Sequence, residues 1–392
     1  MEDSGPEHLR PPIRLLQTTA FVSTFDRFAM PPMLVAIAHD LEVPLGQVVH
    51  AAGAYFLAYG LMQPVWGIVS DRLGRVTTMR LTLFLACLST IASAFTSTPL
   101  ALGIARALAG GFMAAAYPAT LVYLGDTVPA ARRQPEITRL MVGVAMGTAL
   151  ASLGAGALAQ LLTWRVAFVL SGLAALVLVV ALRNLPEPTH PPRAHLLSPL
   201  VDVVRSRTAV LVLALAFAEG VVLLGVLTLL PSAVQTTGSG ATVAGAVTGV
   251  FGVAVLFSAP VLGRLSRTRH PSRLIALGAS SALLACTLLA ISRTATVAIL
   301  VAVLIGLAWT SMHSSLQTWA TEVAPDARAA VVSLFAGSLF AGSATAAIAV
   351  AGLAEAERYR EIFVLAALVA IPLGAVGTVA RLRWTRPGQS TA

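Results

Sequence analysis

Apolar stretches long enough to cross a membrane recur along the chain, and short polar segments separate them. A membrane-spanning helix needs about 20 mostly apolar residues. The pattern predicts twelve such spans. They cover residues 14–38, 47–69, 78–97, 100–124, 138–160, 165–183, 208–232, 242–264, 273–292, 295–319, 330–352 and 360–382.

The composition supports a membrane protein and excludes most soluble classes. Of the 392 residues, 57% are hydrophobic and 11% are charged. A soluble domain has about 25% charged residues, so this chain has too few charges to cover a water-exposed surface. Cys87 and Cys286 both lie in apolar runs, which favours simple packing over a redox or metal role. We expect no metal site.

The arginines predict how the chain is oriented. The net charge is +9, and all 26 basic residues are arginine. Twenty of them lie at the termini and in alternate loops, from Arg10 to Arg386, with Arg193 in the longest loop. Four lie in the other loops, at Arg165, Arg293, Arg358 and Arg360. Positive loops stay cytoplasmic, so both termini are expected inside, and the basic character reflects topology rather than nucleic acid binding.

A proline-rich segment divides the chain. It predicts an N-terminal six-helix bundle over residues 1–183, a cytoplasmic linker over 184–207 and a C-terminal six-helix bundle over 208–392. Such a linker is polar and semi-rigid.

The two halves are related in sequence. Pro64 and Gly67 correspond to Pro260 and Gly263 at a spacing of 196 residues, and similar correspondences follow later spans. Because each half crosses the membrane an even number of times, the two repeats have the same orientation. The predicted fold is therefore an all-α polytopic membrane protein, with twelve transmembrane helices in two pseudo-symmetric six-helix bundles around a central cavity.

The loop between spans 2 and 3 carries a recognisable motif. It reads Gly67-Ile-Val-Ser-Asp71-Arg72-Leu-Gly74-Arg75 and resembles the signature loop of the major facilitator superfamily. Together with the topology of six plus six spans, this resemblance covers the whole chain. It implies a secondary transporter that works by alternating access.

Each position of this gating motif has a physical reason. Gly67 lets helices approach closely, and Gly74 permits a tight turn. Asp71 is expected at a helix N-terminus, where the helix dipole favours a carboxylate.

The resemblance also implies a latch. In the family, the acid at Asp71 meets the start of span 11, near Ala330, when the inner side is shut. Arg72 or Arg75 then pairs with Asp126 at the end of span 4. The alternative is that these charges only anchor the loop on the cytoplasmic side.

Two further features concern the subgroup. Arg106 in span 4, followed by Gly110 and Gly111, resembles the arginine-bearing span of bacterial drug:proton antiporters. Those exporters carry a proline after a glycine pair in span 5, whereas Gly147 is followed here by Thr148. The missing proline keeps open an alternative, a proton-coupled symporter that imports a metabolite.

Few charges lie within the spans. Asp26 and Glu219 fall near the middle of spans 1 and 7. Arg27 adjoins Asp26, and Arg106 lies in the outer half of span 4. A charge at the membrane midplane costs at least about 2.5–3.5 kcal/mol, so such residues normally have partners or functions. Asp26 and Arg27 are about 100° apart on a helix and should face different neighbours.

We expect at least one of these acids to bind the coupling proton, with Asp26 favoured over Glu219. Burial favours the protonated form of a carboxyl, and a nearby arginine favours the ionised form. Met30, Pro31 and Pro32 follow Asp26 and weaken span 1, so a hinge is possible there. The structural alternative is a pair of buried salt bridges that lock the two halves together. His313 in span 10 either relays protons or is held in place by hydrogen bonds.

The substrate cavity is expected along polar and aromatic stripes on three helices. The candidate lining residues are Met30, Tyr55, Tyr59, Gln63, Met113, Tyr117, Trp309 and Gln317. Stripes of this kind also arise from packing. Flexible aromatic and methionine side chains suit an amphipathic or lipophilic solute.

The sequence thus favours a proton-coupled exporter of small amphipathic molecules in a bacterial cytoplasmic membrane. We expect a monomer in the lipid bilayer, with a small-molecule substrate, protons as the coupling ion and no cofactor. A membrane enzyme or a receptor is a more distant alternative, because the sequence lacks catalytic motifs and an output domain.

Overall fold

The computed structural model describes residues 12–188 and 198–385, and every regular element in these ranges is helical. Eleven helices are long and apolar enough to cross a membrane, and a twelfth, Leu45–Leu73, has 29 residues but a more polar sequence. We number the twelve as spans 1 to 12. They run over Ile13–Asp40, Leu45–Leu73, Arg75–Ala94, Pro99–Thr127, Ala130–Leu161, Trp164–Ala181, Arg207–Gln235, Ala241–Leu265, Pro271–Ile291, Ala295–Val323, Arg328–Glu355 and Tyr359–Arg383.

Four of these spans are irregular. Span 1 contains a 3-10 turn at Pro31–Met33, because proline cannot continue the α-helical hydrogen bonds, and span 4 is interrupted after Met113. Spans 7 and 10 contain π-helical turns at Gly220–Leu224 and Trp309–His313. Turns of this kind are rare and often occur at functional sites.

The sequence repeat is visible in the packing. Trp164 and Phe168 at the start of span 6 lie with ring centroids 5.8 Å apart, and their counterparts Tyr359 and Phe363 in span 12 are 6.4 Å apart. All four side chains are buried. The last span of each half therefore begins with the same aromatic pair.

The linker is more structured than its prolines predict. A helix spans Ser198–Arg205, and Val203 within it is buried. The helix forms because the residues after the proline-rich part include apolar side chains at helical spacing, and it packs against span 11. Arg193 in the linker, like Arg10 and Arg386, lies outside the described residues.

Span 2 packs along span 11, and span 5 along span 8, so that each half contributes one helix to each contact. Glycines allow the close approach: a Cβ atom at Gly245 in span 8 would collide with the backbone oxygen of Ser152 in span 5. Small residues of this kind let membrane helices pack backbone to backbone.

The halves meet at the end opposite the linker, which we call the far end. There the Gln160 side-chain oxygen accepts a hydrogen bond from the backbone N–H of Thr242 at 2.9 Å. The Gln235 amide donates to the Pro32 carbonyl at 3.4 Å. These bonds join spans 5 and 8 and spans 1 and 7, so the far end is closed.

We predict that Gly245→Ala weakens this contact. The added methyl group forces spans 5 and 8 apart, and overpacking of this kind typically costs about 1–3 kcal/mol. The midpoint of thermal unfolding in detergent should fall. Gly263→Ala is the control on the same helix, because a Cβ atom at Gly263 meets nothing within 4 Å. Equal effects of the two substitutions would show that the glycine contact is unimportant.

Candidate functional site

Asp26 is enclosed within the first half. Its carboxylate accepts hydrogen bonds from Arg106 at 3.2 and 3.3 Å, from Thr90 at 3.3 Å and from Ser171 at 3.1 Å. Asp26 and Arg106 are both completely buried. Spans 3, 4 and 6 thus supply the hydrogen-bond donors to this carboxylate on span 1.

Arg106 is held on its other sides by aromatic rings. Its guanidinium carbon lies 4.5 Å from the ring centroid of Tyr55 and 4.6 Å from that of Phe168. A second hydrogen bond reaches the Asp26 backbone carbonyl at 3.2 Å. The charge of Arg106 is thus compensated by one carboxylate and two ring faces.

Arg27 faces elsewhere, as its 100° offset from Asp26 predicts. It donates a hydrogen bond to the Tyr59 hydroxyl at 2.5 Å. Its guanidinium carbon lies 4.4 Å from the Tyr59 ring, 5.1 Å from Phe340 and 5.9 Å from Phe28. Phe340 belongs to span 11, so Arg27 lies where the two halves meet.

The second half contains a different buried pair. Glu219 is completely buried, and its Oε2 lies 3.2 Å from Nδ1 of His313. Its other oxygen, Oε1, has no hydrogen-bond partner. Glu219 immediately precedes the π-helical turn of span 7, and His313 ends that of span 10.

The two buried pairs correct one expectation. Asp26 and Arg106 both belong to the first half, and Glu219 and His313 both belong to the second. The alternative in which buried salt bridges lock the halves together is therefore wrong. Each pair instead connects the first span of its half to the fourth.

A cavity of about 680 Å³ opens between the halves near the linker end. The ends of spans 2 and 4 form one wall, and the start of span 11 forms the other. The lining residues include Gln63, Trp66, Asp71, Ala330 and Ser333. Because the far end is closed, the structure is open toward the linker.

The expected cavity residues have diverse positions. Gln63 lines the cavity, and Tyr59, one turn away, lies between Arg27 and Phe340. Trp309 stacks on His313 with ring centroids 4.0 Å apart. The remaining candidates lie elsewhere. The Tyr55 ring packs on Arg106, and Met30 and Met113 are buried. The Tyr117 hydroxyl lies 3.6 Å from the Met141 sulfur, and Gln317 is exposed.

The motif loop forms an ion network. Arg75 contacts Asp71 at 2.5 Å and Asp126 at 3.2 Å, so Arg75 is the partner of Asp126, and Arg72 is exposed. Gly74 has a φ of +95°, which confirms the tight turn. Gly67 lies opposite Ser333 of span 11.

The position expected for Asp71 is wrong. It lies in the last turn of span 2, not at a helix N-terminus. The helix dipole disfavours a carboxylate at a C-terminus, and the adjacent Arg75 guanidinium offsets this effect. Asp71 and Ala330 line the same cavity in this open arrangement.

The N-terminus of span 3 is occupied by a residue that sequence reasoning missed. The Glu187 carboxylate from the linker accepts hydrogen bonds from the backbone N–H groups of Arg75, Val76 and Thr77. The Thr77 hydroxyl also donates to it at 3.3 Å. The sequence feature that could have identified Glu187 is an acid between two prolines, Pro186 and Pro188, shortly after an apolar span. Glu187 thus ties the linker to the motif loop.

Metal ligands are not clustered in the part of the chain described by the structure. Residues 12–188 and 198–385 contain no group of three or more His, Cys, Asp or Glu side chains that could hold a metal ion. Cys87 and Cys286 are both free and buried.

Comparison with known families gives a match over most of the chain. The sequence model of the Major Facilitator Superfamily matches residues 18–347.

Curated relatives match over shorter stretches. Multidrug resistance protein D of Escherichia coli strain K12 is 31% identical over 176 residues, which are 43% of this chain and 43% of that protein. Quinolone resistance protein NorB of Staphylococcus aureus strain JH9 is 29% identical over 168 residues, 42% of this chain and 36% of that protein. The matched region is thus less than half the length of either relative.

Solved structures share the fold along nearly the whole chain. A POT family transporter in complex with 5-aminolevulinic acid gives a TM-score of 0.78 at 13% identity and covers 95% of this chain and 96% of its own. The nucleoside transporter NupG gives 0.76 at 13% identity and covers 94% and 100%. A bacterial homolog of the lysosomal transporter Spinster, in an inward-facing and occupied conformation, gives 0.75 at 17% identity and covers 96% and 98%.

We predict that Asp26→Asn destabilises the fold. The substitution leaves the Arg106 guanidinium buried without its carboxylate, and breaking a buried ion pair typically costs about 3–5 kcal/mol. Thermal unfolding in detergent measures the loss. The double variant Asp26→Asn/Arg106→Met should recover part of it.

The control for this prediction is Glu361→Gln, which breaks an exposed ion pair with Arg358 and should change stability little. If Asp26→Asn were as stable as the wild type, the pair would not be a structural element of the first half.

We also predict that Glu187→Ala lowers stability by about 1 kcal/mol, the usual effect of removing a helix cap. Span 3 loses the acceptor for three backbone N–H groups. Hydrogen exchange at Val76 and Thr77 should become faster in the variant. Unchanged exchange at these two amides would contradict the cap, and Glu361→Ala again serves as the control.

Proposed function

Because the chain belongs to the major facilitator superfamily, we propose that it is a proton-coupled transporter that exports small amphipathic molecules across a bacterial cytoplasmic membrane. The two moving bodies are residues 1–183 and 208–392, joined by the linker 184–207. The termini and the linker face the cytoplasm, in agreement with the distribution of arginines. In this orientation the cavity of about 680 Å³ opens to the cytoplasm.

The observation that carries proton coupling is the buried Glu219–His313 pair. Carboxyl and imidazole groups bind protons reversibly, whereas a guanidinium keeps its proton. Glu219 has one carboxylate oxygen without a hydrogen-bond partner, and that atom is available to a proton. The pair therefore consists of two largely buried titratable groups, and one carboxylate oxygen of the pair has no hydrogen-bond partner.

The Asp26–Arg106 pair is the weaker candidate. An arginine is always protonated in proteins, and Asp26 already accepts hydrogen bonds from three side chains. A proton on Asp26 would break these interactions and strand the buried Arg106. We therefore assign a structural role to Asp26 and the coupling role to Glu219 and His313, which reverses the preference drawn from the sequence.

The π-helical turns beside the pair provide a route to conformational coupling. In a π-helical turn each hydrogen bond joins residues five apart instead of four, and such turns frequently occur at functional sites. Protonation of Glu219 weakens its attraction to His313 and lets spans 7 and 10 shift against each other. That shift changes the contact of the second half with the first.

Closure at the cytoplasmic end would use the motif loop. Asp71 and the start of span 11 line the same cavity, so a rocking motion that closes it brings them together. The Arg75 bridge between Asp71 and Asp126 keeps the loop in position for this contact. Export as the direction of transport is supported by the drug-resistance names of the relatives.

The proposal predicts that Glu219→Gln separates transport from the proton gradient. Proteoliposomes are loaded with a panel of cationic, neutral, acidic and lipid-like compounds, and substrate and proton fluxes are recorded. Glutamine mimics the protonated carboxyl, so downhill exchange of substrate should continue. Uphill transport driven by a pH gradient should fall to the level of protein-free liposomes.

His313→Gln should give the same result, and Glu361→Gln, at an exposed ion pair, should behave like the wild type. If both Glu219→Gln and His313→Gln keep full proton-driven transport, coupling through this pair is wrong. If the wild type moves no compound of the panel and no protons, the proposed function fails as a whole.

A further inference from the structure

The charges within the spans do not balance once they are assigned to partners. Asp26 compensates Arg106, and Glu219 lies against His313. Among residues 12–188 and 198–385, no carboxylate forms an ion pair with Arg27. Arg27 is thus a permanently charged side chain without a counter-ion, at a depth where uncompensated charge is costly.

The contacts of Arg27 are all with neutral groups. It has the Tyr59 hydroxyl and the ring faces of Tyr59, Phe340 and Phe28. Its Nε atom is buried and has no hydrogen-bond partner. Aromatic rings stabilise a cation but do not neutralise it, so the guanidinium retains capacity for an anion.

The position of Arg27 is suitable for a transported molecule. Tyr59, to which it donates, lies one helical turn from Gln63, and Gln63 lines the cavity that opens toward the linker. Phe340 belongs to the opposite half, so a ligand at Arg27 would contact both moving bodies. Arg328 also lines the cavity, at the start of span 11. The cavity thus has Arg328 at its linker end and extends to Gln63, one helical turn from the tyrosine that binds Arg27.

We propose that Arg27 is the recognition site for a carboxylate on the substrate, so that the transported molecules are amphipathic monoacids. A guanidinium binds a carboxylate through two parallel hydrogen bonds, and one arginine compensates one negative charge. The aromatic rings around it and the apolar parts of the cavity accept the rest of the molecule. This inference rests on the proposed transport function and names its substrate class.

The same arrangement explains why an acid leaves Arg27 when the halves move. Tyr59 and Phe340 lie on opposite sides of the boundary between the halves, with ring centroids 4.6 Å apart. Rocking separates these rings and opens the Arg27 environment to water, where the attraction between the guanidinium and a carboxylate is much weaker. Release then needs no change in the charge of Arg27.

The test compares matched ligands that differ only in charge. Equilibrium binding of naphthalene-2-carboxylate and naphthalene-2-carboxamide is measured with the full-length protein in nanodiscs at neutral pH, together with the corresponding biphenyl pair. The carboxylates should bind more tightly than the carboxamides by about tenfold or more, the usual effect of a hydrogen bond to a charged group. In Arg27→Gln this ratio should fall to about one, with carboxamide binding retained.

Arg80→Gln, which removes an exposed charge on span 3, is the matched control and should keep the wild-type ratio. Arg27→Lys retains the charge without the planar fork and should give an intermediate ratio. If the wild type binds no carboxylate better than its carboxamide, the inference is overturned. It is also overturned if Arg27→Gln weakens both ligands equally, which indicates a structural clasp between the halves.

The transport assay separates this inference from the proposed function. Arg27→Gln should still accumulate a carboxamide against a pH gradient, whereas Glu219→Gln should still discriminate carboxylate from carboxamide in binding. Acid-selective binding without proton-driven transport would refute the coupling mechanism and leave the carboxylate site intact. Proton-driven transport without acid selectivity would refute the carboxylate site and leave the coupling mechanism intact.

Discussion

The cost of placing charge inside a membrane governs the interior of this protein. Each charged side chain within the spans needs a partner, because the surrounding lipid and apolar side chains provide no hydrogen bonds. Asp26 obtains its partners from three other helices, and this requirement fixes how spans 1, 3, 4 and 6 pack together. The ion pair is thus an organising contact of the first half as well as a way to bury a carboxylate.

The two halves use the same geometry with different chemistry. In each half, an acid on the first span contacts a base on the fourth, but the base is Arg106 in one and His313 in the other. An arginine keeps its proton, whereas a histidine exchanges it within the physiological range. In the function we propose, the Asp26–Arg106 pair is therefore structural and the Glu219–His313 pair exchanges protons. The π-helical turns occur beside the Glu219–His313 pair.

The two halves are in close contact at the far end and lie farther apart toward the linker. At the far end, glycines in spans 5 and 8 allow backbone contact, and hydrogen bonds from Gln160 and Gln235 cross the boundary. Toward the linker, the halves separate around the cavity, and Glu187 holds the linker on the motif loop. The loop that lines the cavity is therefore attached directly to the segment that joins the two halves.

Much of this architecture is local in origin and so can be read from the sequence. Eleven of the twelve spans follow from hydrophobic length, the repeat from constant spacing, and the tight turn at Gly74 from a residue type that tolerates positive φ. The separation of Asp26 from Arg27 follows from helix geometry alone, since adjacent residues point about 100° apart.

Which charged side chains pair with each other was decided by the tertiary structure. The residues concerned are far apart in the chain, and no local pattern encodes their contact. Sequence reasoning placed Asp71 at the wrong end of a helix and overlooked Glu187. It favoured Asp26 as the proton site, whereas the function we propose assigns that role to Glu219. The sequence shows two acids and two bases within the spans but not which of them form pairs. Only the packing of the helices decided that Arg106 pairs with Asp26, because span 4 faces that side of span 1. Arg27 points toward span 11, where its neighbours are aromatic rings and not a carboxylate.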